Sequence, residues 1–245
     1  MKANRRPRAA HSSSFQRGYY ERQYRARLWR RRGDRPLLYR SLLRQLRPWF
    51  GGRLLDVGCG EGNFLRRASR RFETHGVDIS VEGVELARQV SGLDTVLVAS
   101  AVELPFPDEF FAVVTCLDVL EHLEQPEAAL REFARVLQPQ GALVISTPNP
   151  LSLGHRVKGR GSFIYRDATH ISVMPIGDWR SLLRTAGFDL VRDGTDTLWD
   201  TPYTRRVPTR AQWLLFIGLA QLMWAVRPMY PWGLGENYVC LARKR

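Results

Sequence analysis

At 245 residues the chain is long enough to bury one large α/β core and too short for two. Its net charge of +13 is matched by the first fifty residues alone, where 15 Lys or Arg face only Glu21 and Asp34; residues 51–150 carry −7 and residues 151–245 carry +7. Cys59, Cys116 and Cys240 show no CxxC or Cys/His metal spacing, and a reducing, cytoplasmic compartment fits them best. The Arg-rich start is not followed by an apolar run, so no secretory signal is read there, and an organellar transit peptide is the lesser alternative.

Along the chain, residues 1–38 read as a basic arm and 39–245 as one domain. Apolar spacing predicts a helix over 39–46 that Pro48 ends, leading into a first strand over 53–57. A second strand lies near 74–77, a helix carries Val84, Leu86, Ala87 and Val90, and compact apolar runs give strands over 95–99 and 111–116. Helix 127–137, with Pro126 before it and Gly141 after it, leads to strand 142–146. Helix 178–186 ends at Gly187 and precedes strand 188–192, and a last strand covers 238–242. Alternation of strand and helix predicts a Rossmann-like, doubly wound, mostly parallel seven-stranded sheet with an antiparallel last strand.

Between the first strand and the helix beginning near Phe64 stands Asp56-Val57-Gly58-Cys59-Gly60-Glu61-Gly62, and twenty residues after Gly58 comes Asp78. Glycines in a strand-to-helix turn let the backbone approach a ligand, and an acid at the tip of the next strand suits two ribose hydroxyls. The spacing G-x-G-x-G differs from the G-x-G-x-x-G of dinucleotide sites. Together with Glu103-Leu104-Pro105-Phe106-Pro107-Asp108 and Asp118-Val119-Leu120-Glu121-His122, the turn resembles that of class I S-adenosylmethionine-dependent methyltransferases of the small-molecule type, over about residues 53–187.

The resemblance implies S-adenosyl-L-methionine as cofactor. Its methionine part would lie against Asp56, Gly58, Cys59, Gly60 and Gly62 with Leu117 nearby, its ribose against Asp78, and its adenine between Ile79 and Ser100-Ala101-Val102. Ser100 departs from the Asp common in the family, which replaces a carboxylate acceptor for the adenine amino group by a hydroxyl.

Methyl transfer from a sulfonium needs an aligned nucleophile, exclusion of water and a base for an O–H or N–H. Glu121-His122, directly after the fourth strand, resembles the pair in ubiquinone-type O-methyltransferases, where an acid at the position of Asp118 can complete a divalent-metal site; whether this chain takes a metal stays open. The plain alternative is that Glu121 caps or salt-bridges while His122 packs under the loop. A second candidate is Tyr165-Arg166-Asp167-Ala168-Thr169-His170, in which His170 is a base or an orienting group with Asp167 or Tyr165 as partner.

Segments 148–176 and 197–234 are expected on the substrate side. In the second, the run 211–226 is apolar except for Gln212 and Gln221, with Trp213 and Trp224 toward its ends and arginines beyond. Sixteen residues fall short of the ~20 that span a bilayer, so a helix lying in the interface fits better, with a buried lid helix or a dimer contact as alternatives. The expected function is O-methylation of a small lipophilic or membrane-associated acceptor, peripheral to an anionic membrane surface. An RNA or protein methyltransferase using the basic arm, with nucleic acid as partner, is the runner-up, and a non-catalytic cofactor-binding or assembly protein is the third reading.

Overall fold

The computed structural model describes residues 35–204 and 206–245. The basic arm up to residue 34 lies outside the described residues.

Seven strands form one sheet: β1 Arg53–Val57, β2 Glu73–Asp78, β3 Val96–Val98, β4 Phe111–Leu117, β5 Leu137–Pro148, β6 Phe188–Thr195 and β7 Asn237–Lys244. Their order is β3-β2-β1-β4-β5-β7-β6. All neighbours from β3 to β5 pair in parallel, and β7 lies antiparallel between β5 and β6. The chain therefore leaves β1, β2, β4, β5 and β6 at one common edge, the edge where open α/β sheets bind ligands.

The described residues include eight α-helices: α1 Pro36–Gln45, α2 Asn63–Ala68, α3 Val81–Ser91, α4 Pro126–Val136, α5 Leu153–Lys158, α6 Phe163–Arg166, α7 Ile176–Thr185 and α8 Thr209–Val226. Successive strand side chains alternate between faces, so Leu54, Val113 and Val144 join one apolar cluster while Leu55, Val114 and Leu143 join the other. Apolar residues of α1, α2, α3 and α8 close the first face, and those of α4 and α7 close the second.

Helix α1 starts at Pro36, three residues before its predicted start, because Pro suits the first helical turn and Leu38 already sits in the core. The domain thus takes in residues 35–38, which the sequence had grouped with the arm. Strand β5 begins at Leu137 and not at residue 142: Leu137 pairs with Phe111, and the ladder then shifts register before Val113 meets Ala142. Strand β6 runs on to Thr195 because Asp193, Gly194 and Thr195 all find partners on β7.

Candidate active site

The glycine turn follows β1. Gly58 has φ +70°, and a Cβ there would fall 2.2 Å from Val119 Cγ2; Gly62 has φ +74°, and a Cβ there would fall 2.9 Å from the backbone of Ala87. Neither position admits a side chain.

The turn spends its amides on the protein itself. Gly58 N and Cys59 N both donate to Val77 O (2.8 and 3.0 Å), Gly60 N donates to Asp78 Oδ2 (2.9 Å), and Gly62 N donates to Cys59 O (2.9 Å). This corrects the expectation that the glycines present N–H groups to a ligand. What the edge offers instead is two buried carboxylates, Asp56 and Asp78. A pyrophosphate needs donors, whereas a ligand carrying an ammonium, a sulfonium and ribose hydroxyls needs acceptors, so the site suits S-adenosylmethionine and not a dinucleotide.

Asp56 Oδ1 accepts from Thr115 Oγ1 at 2.7 Å, and burial pushes the Asp56 carboxyl up to about 7 against that hydrogen bond. Asp78 is also raised by burial, opposed by the amides of Ser80 and Gly60, both at 2.9 Å. Each carboxylate oxygen of Asp78 has a second lone pair for a ribose hydroxyl. Beside them lie Ile79 and Leu117, both half-buried, then Ser100, Ala101 and Val102 directly after β3, with Ala101 buried and Val102 exposed. Ser100 Oγ accepts from Val102 N at 3.4 Å. The Glu103–Asp108 stretch beyond is held by α4: Arg135 donates to Phe106 O, Leu104 O and Asp108, and Glu132 Oε2 accepts from Leu104 N.

After β4, Asp118 takes a left-handed backbone (φ 58°), and its carboxylate pairs with Arg35 while accepting from Ser146 Oγ and from Asn237 Nδ2 (2.9 Å). Against its burial, the Arg35 guanidinium and these hydrogen bonds hold the Asp118 carboxyl below its ordinary range. A carboxylate already engaged by a guanidinium is a poor cation ligand, so the set Asp118, Glu121 and His122 implied by the resemblance does not fit a metal here.

Glu121, His122 and His170 do come together, each with one ligand-type atom within 4.8 Å of the others. Glu121 O accepts from Ile171 N and Ser172 N, both 2.9 Å, which stitches the 165–172 segment to the turn after β4. Burial pushes the Glu121 carboxyl well above the usual range, and among the described residues its Oε2 has no hydrogen-bond partner.

The two imidazoles lie 4.8 Å apart, centroid to centroid. His170 Nδ1 is 2.7 Å from Ile164 O, and a carbonyl oxygen only accepts, so Nδ1 carries the proton and Nε2 holds a lone pair. Asp167 Oδ1 accepts from Thr169 N (2.9 Å) and Thr169 Oγ1 (2.6 Å), and the Tyr165 ring lies 5.1 Å from that of His155, tilted by 48°. His122 Nδ1 is 3.1 Å from Thr169 O and 2.8 Å from Thr169 Oγ1, and burial lowers its pKa to about 4. Phe163 lies edge-on to His170 at 6.3 Å and packs on Trp199 at 4.6 Å, making an aromatic wall.

Arg35, Thr115, Phe163, Ile164, Thr169 and Trp199 were not singled out from the sequence. Thr169 alone carried a local signal, since D-x-T is the spacing of an Asx turn; the others reach the site through tertiary packing.

The profile of the methyltransferase-domain family matches residues 6–193. The chain is 32 % identical over 154 residues to 27-O-demethylrifamycin SV methyltransferase of Amycolatopsis mediterranei, a match covering 57 % of this chain and 54 % of that protein. It is 34 % identical over 149 residues to the ubiquinone biosynthesis O-methyltransferase of Alkalilimnicola ehrlichii, covering 57 % and 58 %. The match thus spans little more than half the length of these two relatives. Among solved structures, a SAM-dependent methyltransferase from Archaeoglobus fulgidus superposes with TM-score 0.63 at 24 % identity, covering 90 % of this chain and 99 % of that one. An S-adenosylmethionine-dependent methyltransferase from Mesorhizobium loti gives 0.61 at 20 % identity, covering 85 % and 98 %. The glycine turn, the two carboxylates at the strand tips and the family match agree: the chain belongs to the methyltransferase-domain family, among the S-adenosylmethionine-dependent methyltransferases.

Proposed function

We propose that the protein transfers a methyl group from S-adenosylmethionine to an oxygen of a small lipophilic acceptor, with His170 as the base. The observation that carries this reading is the His170 Nε2 lone pair, fixed by the Nδ1 hydrogen bond to Ile164 O and set beside an aromatic wall. O-methylation is also the activity named for both relatives.

When bound, S-adenosylmethionine supplies a methyl group activated on a sulfonium. The protein's own work is to bind, orient and deprotonate. Asp56 and Asp78 hold the cationic and ribose ends. The ring of Phe163 and the indole of Trp199 give a planar acceptor an apolar face to lie on, and exclude water. His170 Nε2 takes the proton of the acceptor's hydroxyl, and Ile164 O, which accepts from Nδ1, stabilises the resulting imidazolium. His122 is a weak base, since protonating a group whose pKa has fallen to about 4 costs about 3 kcal/mol more than an ordinary imidazole. Its hydrogen bonds to Thr169 suit it to holding the 165–172 segment in place.

The test is turnover of a panel of alkyl-chain phenols, followed as S-adenosylhomocysteine release. His170→Ala should lower kcat by ~10²–10⁴-fold with cofactor affinity unchanged, while His122→Ala acts mainly on stability. Full activity in His170→Ala, or methylation of RNA or protein but of no phenol, sinks the proposal. A chelator should leave the rate unchanged.

A further inference from the structure

Helix α8 has two unlike sides. Gln212, Ala220 and Trp224 are buried, with Ala220 and Trp224 in the same apolar cluster as Leu38 and Leu42 of α1. Gln212 pins the preceding loop: its Oε1 accepts from Tyr203 N (2.7 Å) and its Nε2 donates to Thr204 O and Val207 O (2.7 Å each). Trp224 is only 3 % exposed, so of the two tryptophans toward the ends of the apolar run only Trp213 faces outward.

The opposite side is open. Leu215, Leu222 and Val226 are 65, 64 and 69 % exposed, Leu214 is 68 % exposed, and Leu219 and Trp213 flank them. The spacing 215, 219, 222, 226 is that of one helix face, and no charged or amide side chain interrupts it. Leucines left in water along four turns of one helix mark an interaction surface.

Charge decides what covers it. Between residues 201 and 235 there is no Asp or Glu, while Arg206 and Arg210 stand exposed at one end of the face and Arg227 at the other. Pairing with a second copy through this face sets these arginines against one another, whichever way the helices run. The chain's own residues 1–34, with eleven Lys or Arg against Glu21 and Asp34, are mismatched in the same way. An apolar strip with a cationic rim is complementary to a surface that is apolar inside and anionic at its boundary. No described helix is long and apolar enough to cross a membrane, so the helix lies in the plane.

We propose that the exposed face of α8 docks the protein reversibly on an anionic lipid bilayer, with Leu215, Leu219, Leu222 and Val226 in the acyl boundary and Arg206, Arg210 and Arg227 on lipid phosphates. The segment bearing α8 connects β6 to β7, and β6 ends at the same sheet edge as the glycine turn. The proposal does not rest on the methyl-transfer reading.

The full chain is sedimented with vesicles of phosphatidylcholine alone and of phosphatidylcholine with 30 % phosphatidylglycerol. Binding to the anionic vesicles is expected, weakened by salt and by Arg210→Glu with Arg227→Glu. Leu215→Ser with Leu222→Ser should cut it by about tenfold or more, with melting temperature and S-adenosylhomocysteine affinity unchanged. Both leucines are exposed, so the variant keeps its core. No binding by the folded wild-type chain overturns the proposal, and so does a dimer in sedimentation equilibrium that the leucine substitutions dissociate. Binding that survives the leucine substitutions overturns it as well, because the basic segments alone would then account for it.

Discussion

Asp56 closes β1 with its carboxyl almost wholly buried, and of the forces on it desolvation is the largest, pushing the group up to about 7. Such a carboxyl is half protonated at neutral pH until a cation arrives. In the proposed reading a methionine ammonium would provide that cation, which would couple ligand binding to loss of the proton. Affinity for S-adenosylhomocysteine is therefore expected to rise about tenfold from pH 6 to pH 8 and then level. Calorimetry across that range checks it, and Asp56→Asn should both weaken binding and flatten the profile. A flat profile in the wild type would remove Asp56 from the ammonium. Asp78 makes the contrasting case, because its Ser80 and Gly60 amides already favour the ionised form. Asp78→Ala should weaken binding by about 1–3 kcal/mol through lost charged hydrogen bonds.

The two substrate-side segments, 148–176 and 197–234, lock together through buried polar groups. Asp200 Oδ2 accepts from Phe163 N (3.0 Å), Asp200 pairs with Lys158 (2.5 Å) and Arg166 (2.6 Å), and Asn149 Nδ2 donates to Gly233 O and Gly235 O. Tyr203 Oη donates to Glu236 Oε1, which also accepts from Gly154 N. Removing the Asp200 carboxylate leaves the largely buried Lys158 without a counter-charge, with only the Asp200 carbonyl oxygen still accepting from it. Asp200→Ala should destabilise by about 3 kcal/mol, the low end for a broken buried pair because Arg166 is half exposed. It should also raise the acceptor KM more than it lowers kcat, since Phe163 N loses its acceptor; steady-state kinetics and a melt separate the two effects. The strands and the glycine turn could be read from the sequence because apolar runs, Gly58-x-Gly60-x-Gly62 and Asp78 are local patterns. Asp200 could not, because its partners are 34 and 42 residues away and nothing beside it marks it as buried. The same holds for Arg35: the local run of arginines reads as a solvated arm, yet this one turns inward to Asp118 across 83 residues. For α8 the sequence supplied the apolar run and the structure supplied its sides, placing Trp224 inward and Leu215, Leu222 and Val226 outward.

Across the whole molecule, carboxyls are buried in a number that sets how stability follows pH. Burial raises Asp196 to about 8 and Asp56 to about 7, with Glu121 and Glu236 also raised; Asp118 and Glu132 are lowered, and His122 falls to about 4. Below about pH 6.5 the neutral, buried His122 opposes the raised acids, because the unfolded chain protonates its histidines there while the folded chain does not. Above about pH 6.5 that opposition is gone. Unfolded Asp and Glu are then fully ionised, and the folded protein still binds protons at Asp56 and Asp196. A raised carboxyl contributes stability that is complete below its unfolded pKa and is lost as pH rises through its folded pKa. The ligand-free protein is thus expected to lose about 3 kcal/mol between pH 6.5 and pH 8.5 from Asp56 and Asp196. Urea denaturation at several pH values measures this directly. Asp196 accepts from Asn237 N and Trp199 Nε1, both at 2.8 Å, and an amide oxygen can replace the first acceptor. Asp196→Asn should therefore fold and show a shallower slope, with the remaining fall confined to the range around pH 7 where Asp56 ionises. Saturating S-adenosylhomocysteine should flatten that remainder, since its ammonium pays for the Asp56 charge. Stability that rises from pH 6.5 to pH 8.5 in the ligand-free wild type would show that the buried carboxyls at the sheet edge are already ionised, and would remove the coupling of ligand binding to Asp56 together with the slope.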